Sequence, residues 1–129
     1  MNDISASIGL GNLKDIQKLL NKNRKNAQYL KKKLNIKVLN QHENGSFWLF
    51  LIKIKNKNEF IDYMKNNGIQ ASQVHARNDI MSVVDKYQED LPLLDELEKE
   101  LVAIPCGWWL NKKDLDYIII SIRNYLKIK

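Results

Sequence analysis

Phe47-Trp48-Leu49-Phe50-Leu51-Ile52-Lys53-Ile54 sets six apolar side chains in succession, without the alternation of a strand that turns one face to water. Such a run reads as a strand covered on both faces, and it is the central strand of the predicted fold. Upstream, 36–39 reads as a second strand. It joins the first across His42, Glu43, Asn44 and Gly45, where Asn-Gly supplies the positive φ that a tight hairpin needs.

Helical patterns flank these strands. Leu13, Ile16, Leu20, Ala27, Leu30 and Leu34 recur at three, four and seven, a stripe that predicts a long amphipathic helix over 12–34. Ile4 and Ile8 extend the spacing backwards, but Gly9 and Gly11 predict a bend or break. The start of the chain looks cut.

Downstream, Asn56 with Glu59 three positions on signals a helix start, Phe60, Ile61 and Met64 form its buried face, and Gly68 stands where a helix end wants positive φ, giving a helix over 57–67. The segment 69–74 reads as a strand, and His75, Ala76, Arg77, Asn78 and Asp79 follow as a polar stretch that no periodicity explains. Leu91, Leu94, Leu97 and Leu101 share one face of a helix that Pro92 starts. Val102, Ala103 and Ile104 make a short strand stopped by Pro105. Asn111 then caps a last helix, with Asp114 at its third position and Leu115, Ile118, Ile119, Ile122 and Leu126 along its buried stripe. The order α-β-β-α-β-α-β-α predicts an α/β fold of the α+β kind: a two-layer sandwich, helices against a small, mostly antiparallel sheet.

Composition narrows the function. At 129 residues and 44% apolar content the chain suits one domain, 1–129. It lacks both a signal segment and the roughly 18 uninterrupted apolar residues of a membrane span, so a soluble, cytoplasmic protein without a membrane partner is expected. One cysteine, Cys106, and two histidines, His42 and His75, leave few soft ligands, and no metal is expected. A net charge of +6 raises the question of nucleic acid. The lysines, however, alternate with acids, and their company of Asn and Ile is a bias that AT-rich coding can produce, so no nucleic-acid partner is expected.

Several residues bear chemistry. Gly9 and Gly11 make a lone G-x-G inside a helical pattern, which is no phosphate loop. Cys106 with His75 would make a nucleophile pair, against the plainer reading of a buried small apolar side chain. His75, Arg77, Asn78 and Asp79 are four hydrogen-bonding side chains in five positions. They either converge on a polar ligand, with Arg77 gripping phosphate oxygens in bidentate fashion, or form a solvated loop. Trp108 and Trp109 either pack between sheet and final helix or offer a stacking surface to a sugar or base.

These segments in this order resemble the C-terminal part of the DegT/DnrJ/StrS family of sugar aminotransferases. Met1 to Leu10 is similar to a family stretch of the form M-x-D-I-x-A-x-x-G, and 72–79 is similar to one subgroup's substrate-loop signature, S-Q-V-H-x-R-N-D. Leu91-Pro92 to Leu97, Ile104-Pro105-Cys106-Gly107-Trp108-Trp109 and 114–122 resemble the closing segments. The resemblance implies the small domain of a fold-type-I aminotransferase dependent on pyridoxal phosphate (PLP). The complete enzyme would transfer an amino group, usually from glutamate, to a keto group of a nucleotide-linked sugar in the making of cell-surface polysaccharide precursors.

It also implies a large domain that carries the PLP-binding lysine, fused or separate, and a homodimer of the complete enzyme. No lysine here lies in the family's Ser-x-x-Lys context, so no catalytic and no cofactor-binding residue is assigned and the chain alone binds no cofactor. The substrate side carries over: His75, Arg77 and Asn78 as neighbours of the sugar nucleotide, with Trp108. Met81 departs from the pattern, standing where the subgroup has a polar residue, often histidine. The alternative is a standalone, non-catalytic module that keeps the fold and binds a sugar nucleotide or a protein.

Overall fold

A computed structural model of the chain describes residues 2–36, 38–39 and 44–128. Helix α1 runs unbroken over Asp3–Leu34, opened by the Asn2 side chain accepting from the Ser5 amide at 2.8 Å and closed by Asn35 in the left-handed region. No break falls at Gly9 or Gly11, both of which lie inside the helix. Each glycine costs only about 1 kcal/mol in a helix, and the turns on either side propagate across both. Lys31, Lys32 and Lys33 place positive charge on the last turn, where the helix dipole favours it.

Strand β1, Phe50–Lys53, pairs antiparallel with β2, Leu101–Ile104, so that Phe50 faces Ile104 and Ile52 faces Val102. The strands expected over 36–39 and 69–74 shorten to single antiparallel bridges on either side, Val38 with Ile52 and Ser72 with Ala103. Part of the expected hairpin, 40–43, lies outside the described residues. The positive φ falls on Phe47, at 47°, and not on Gly45. That turn restricts β1 to its second half. Phe50, Ile52 and Ile54 are buried while Leu51 and Lys53 are half-buried, so β1 is fully covered on one face and only partly on the other.

Helix α2, Lys57–Asn66, follows β1 through Asn56, which stands at the expected N-cap position but has a left-handed backbone and no side-chain cap bond. Asparagine tolerates that conformation, and here it turns the chain from strand to helix. Gly68 has φ 71°, with its amide donating to Lys65 and that of Ile69 to Met64, which is a Schellman ending. Helix α3, Pro92–Glu100, leads straight into β2. Helix α4, Lys112–Leu126, starts with a reciprocal cap: Asn111 accepts from the Asp114 amide, and the Asp114 carboxylate accepts from the Asn111 amide. A 3-10 segment, Ser82–Tyr87, was not expected from the pattern.

The core joins Ala27, Leu30 and Leu34 of α1 with Phe50 and Ile52, Phe60 and Met64, Val102 and Ile104, and the Leu115, Ile118, Ile122 stripe of α4. Each such side chain contributes roughly 1.5–3 kcal/mol by leaving water. Only the C-terminal third of α1 takes part. Ile4, Ile8, Leu10 and Leu13 are more than half exposed. No helix among the described residues is long and apolar enough to cross a membrane.

Candidate functional site

The leucine face of α3 is not core. Leu91, Leu94, Leu97, Glu98 and Leu101 form one wall of an open cleft of about 810 Å³, and the loop 73–79 forms the other. Of the predicted site residues, His75, Arg77 and Asn78 line this cleft together, and Trp108 is not among its lining residues.

Arg77 is the most constrained of them. Its Nε donates to Asp79 Oδ1 at 2.9 Å, Nη2 to Asp79 Oδ2, and Nη1 to Asp95 Oδ1 of α3. The bidentate edge expected to grip phosphate is thus taken by Asp79, which leaves two of the five guanidinium N–H groups. The hydrogen bonds from Arg77 hold the Asp79 carboxyl below its ordinary range, and those carboxylates in turn keep the guanidinium protonated well beyond its usual value. Gln88 donates to the Asp79 carbonyl at 3.0 Å, fastening the far end of the loop.

His75 is exposed and stacks on Trp48, ring centroids 6.0 Å apart and planes at 24°. Behind it, Lys57 is buried at the start of α2. Its ammonium donates to the Glu98 carbonyl at 2.5 Å, to Glu98 Oε1 at 3.3 Å and to Gln73 Oε1 at 3.4 Å. Gln73 Nε2 donates to Glu98 Oε1 at 3.1 Å and to the His75 carbonyl at 3.3 Å. Asn78 is exposed, its carbonyl accepting from the Met81 amide at 3.2 Å.

Trp108 and Trp109 are about half exposed and meet edge to face, centroids 5.9 Å apart at 84°, instead of packing between sheet and α4. Cys106 is fully buried and its thiol donates to the Phe47 carbonyl at 3.0 Å. Burial pushes that thiol up to about 12, so it is a packed apolar group and not a nucleophile for His75.

Trp48, Lys57, Gln73, Asp95 and Glu98 were not singled out from sequence. Asp95 and Glu98 lie three apart on α3 and so share a face, a signal that was legible. Trp48 was hidden because its outward turn follows from the left-handed Phe47.

The class this geometry defines is a small α+β domain with a polar loop poised over an apolar cleft. The DegT/DnrJ/EryC1/StrS aminotransferase family matches residues 1–123, and the chain belongs to that family. Its structure is similar to the sugar aminotransferase CalS13 from Micromonospora echinospora, with TM-score 0.90 and 32% identity over 96% of this chain. AtS13 from Actinomadura melliaura is similar at TM-score 0.89 and 33% identity over 96%. The fold is also that of Spr1654 from Streptococcus pneumoniae in its PMP form, at TM-score 0.87, 19% identity and 98% of this chain. The chain spans 35%, 35% and 36% of those three proteins. No curated protein sequence matches it.

An aminotransferase holds PLP as a Schiff base on a lysine. Among the described residues no lysine lines the cleft, and the ammonium of Lys57 is engaged by Glu98 and Gln73. The cleft of this chain does not fit the cofactor.

Proposed function

We propose that this chain is the C-terminal, substrate-side part of a cytoplasmic aminotransferase that moves an amino group, commonly from glutamate, onto a keto group of a nucleotide-linked sugar for surface polysaccharide synthesis. PLP and its lysine belong to a large domain, fused or separate, on which this chain docks, and the complete enzyme is a homodimer. The observation that carries the reading is the convergence of His75, Arg77 and Asn78 on one cleft. Its leucine wall suits the C–H faces of a pyranose, while the imidazole, the Asn78 amide and the two remaining Arg77 N–H groups suit hydroxyl or phosphate oxygens. Trp108 does not line the cleft, and its part on the substrate side rests on the family resemblance alone. The bare apolar side chains at Ile4, Ile8, Leu10 and Leu13 supply a surface for the large domain.

The test is transamination kinetics of the assembled enzyme with His75→Ala and Asn78→Ala. Both residues are exposed, so melting temperature stays put while kcat/KM for the sugar substrate falls about tenfold or more, one to two lost hydrogen bonds. Unchanged kcat/KM in both variants would remove the loop from the substrate site.

A further inference from the structure

Lys57 has no local reason to be where it is. It is the first residue of α2, at the end of the helix where the dipole disfavours a cation, and it is buried to 8% exposure. A buried ammonium persists only if its charge and its three donors are met. Here they are met by two residues that belong to the cleft: Glu98, through both carbonyl and carboxylate, and Gln73. Gln73 and Glu98 are also bonded to each other, so the three side chains close a triangle. One bond leaves it, from Gln73 Nε2 to the carbonyl of His75. The triangle therefore joins the start of α2, the last turn of α3 and the backbone at the histidine. The ring of that histidine lies against Trp48.

We propose that Lys57 is a positioning residue: through Glu98 and Gln73 it fixes the backbone at His75 and so aims the imidazole into the substrate cleft. The proposal rests on the reading of His75 as a substrate-side group, which is a separate claim. Without the ammonium, the Glu98 carboxylate loses its counter-charge. Its side chain is 35% exposed and turns to water, releasing Gln73 and with it the carbonyl of His75. Arg77 is anchored independently on Asp79 and Asp95, so the loosening is confined to the His75 end of the loop.

The experiment reads the His75 ring protons by NMR in the full chain, unsubstituted and as Lys57→Met and Gln73→Leu. Stacking on the Trp48 indole shifts those signals upfield of free histidine. Both variants are expected to move them back toward the free position while the amide signals of β1, β2 and α4 stay in place. Should Lys57→Met fail to fold, Gln73→Leu carries the test, because Gln73 is exposed and its loss opens no core cavity. Ring signals unchanged in a folded Lys57→Met chain, or in Gln73→Leu, overturn the proposal.

Titration with a thymidine and a uridine diphosphosugar separates the two claims. If the His75 signals move in both variants but His75→Ala binds both probes as the unsubstituted chain does, the positioning role stands and the substrate-site reading falls. If His75→Ala weakens binding but the ring signals never move, the site stands and the role of Lys57 falls.

Discussion

Asn26 offers a sharp test of how the tryptophan turn is held. It sits in α1 at 2% exposure, and its amide donates to the carbonyls of Cys106 at 3.2 Å and Gly107 at 2.8 Å. The Gly107 carbonyl has a second donor in the Leu110 amide at 3.1 Å, so losing Asn26 chiefly strands the Cys106 carbonyl. Asn26→Leu keeps the volume and removes the donor. A stranded buried carbonyl costs about 1–3 kcal/mol, and with a slope of about 2 kcal/mol per molar urea the unfolding midpoint falls by about 1 M.

Asn26→Asp is worse at neutral pH, because it buries a carboxylate against two carbonyl oxygens. Both effects raise its folded pKa above the unfolded value. Stability is therefore greatest below the ordinary aspartate range, where the protonated acid donates one hydrogen bond, and falls as pH rises through the folded pKa. Urea melts of both variants at pH 4 and pH 7, followed by tryptophan emission, read this directly. An Asn26→Leu midpoint within about 0.25 M of the unsubstituted chain, or about 0.5 kcal/mol at that slope, or an Asn26→Asp chain indifferent to pH, refutes the donor role.

Two further outcomes follow from the same turn. A Cβ at Gly107 would lie 2.2 Å from the Trp109 ring, so Gly107→Ala drives that exposed indole away. Near-UV circular dichroism then loses the signal of the coupled Trp108–Trp109 pair, while stability drops by about 1 kcal/mol or less, the worth of an aromatic contact. Cys106 should resist iodoacetamide in the folded chain and react on unfolding. Its folded thiol titrates near 12 against an ordinary 9.0, so its contribution to stability is full below pH 9.0 and is lost as pH climbs toward 12. Cys106→Ala, compared by melts at pH 8 and 10, removes that alkaline decline.

Sequence reading succeeded where the rule is local. Gly68 ends α2 with positive φ, and Asn111 with Asp114 opens α4, because helix ends are decided within a few residues. The α4 stripe was legible from period alone, and so was the existence of α3. The burial of α3 was not. A leucine stripe reports that a helix has an apolar side without saying what covers it, and Leu91, Leu94 and Leu97 border a cleft. Strand β1 was read as covered twice because six apolar letters in a row conceal the left-handed turn at Phe47 that rotates Trp48 outwards. At the site, the loop was visible as polar residues without a period, but the state of Arg77 was not. That state depends on Asp95, eighteen positions away, which only the packing of α3 brings within reach.

Stability and the proposed recognition loop occupy different parts of this chain. The buried cluster is built from α1's last turns, β1, α2, β2 and α4, and α3 contributes no buried residue to it. The cleft loop is instead tied down by polar links, Lys57 to Glu98 and Gln73 at one end and Arg77 to Asp79 and Asp95 at the other. Where the partners are only partly buried, as at Arg77, such links contribute little to global stability but fix geometry well, since charged hydrogen bonds are directional where apolar contacts are not. Substitutions in 73–79 should therefore change binding with little change in unfolding, whereas those at Phe60 or Ile122 should do the reverse. The apolar half of α1 belongs to neither part. Its Ile4, Ile8 and Leu13 stabilise nothing within the described residues, which is intelligible if that helix face is covered by the PLP-bearing domain with which this one is proposed to work.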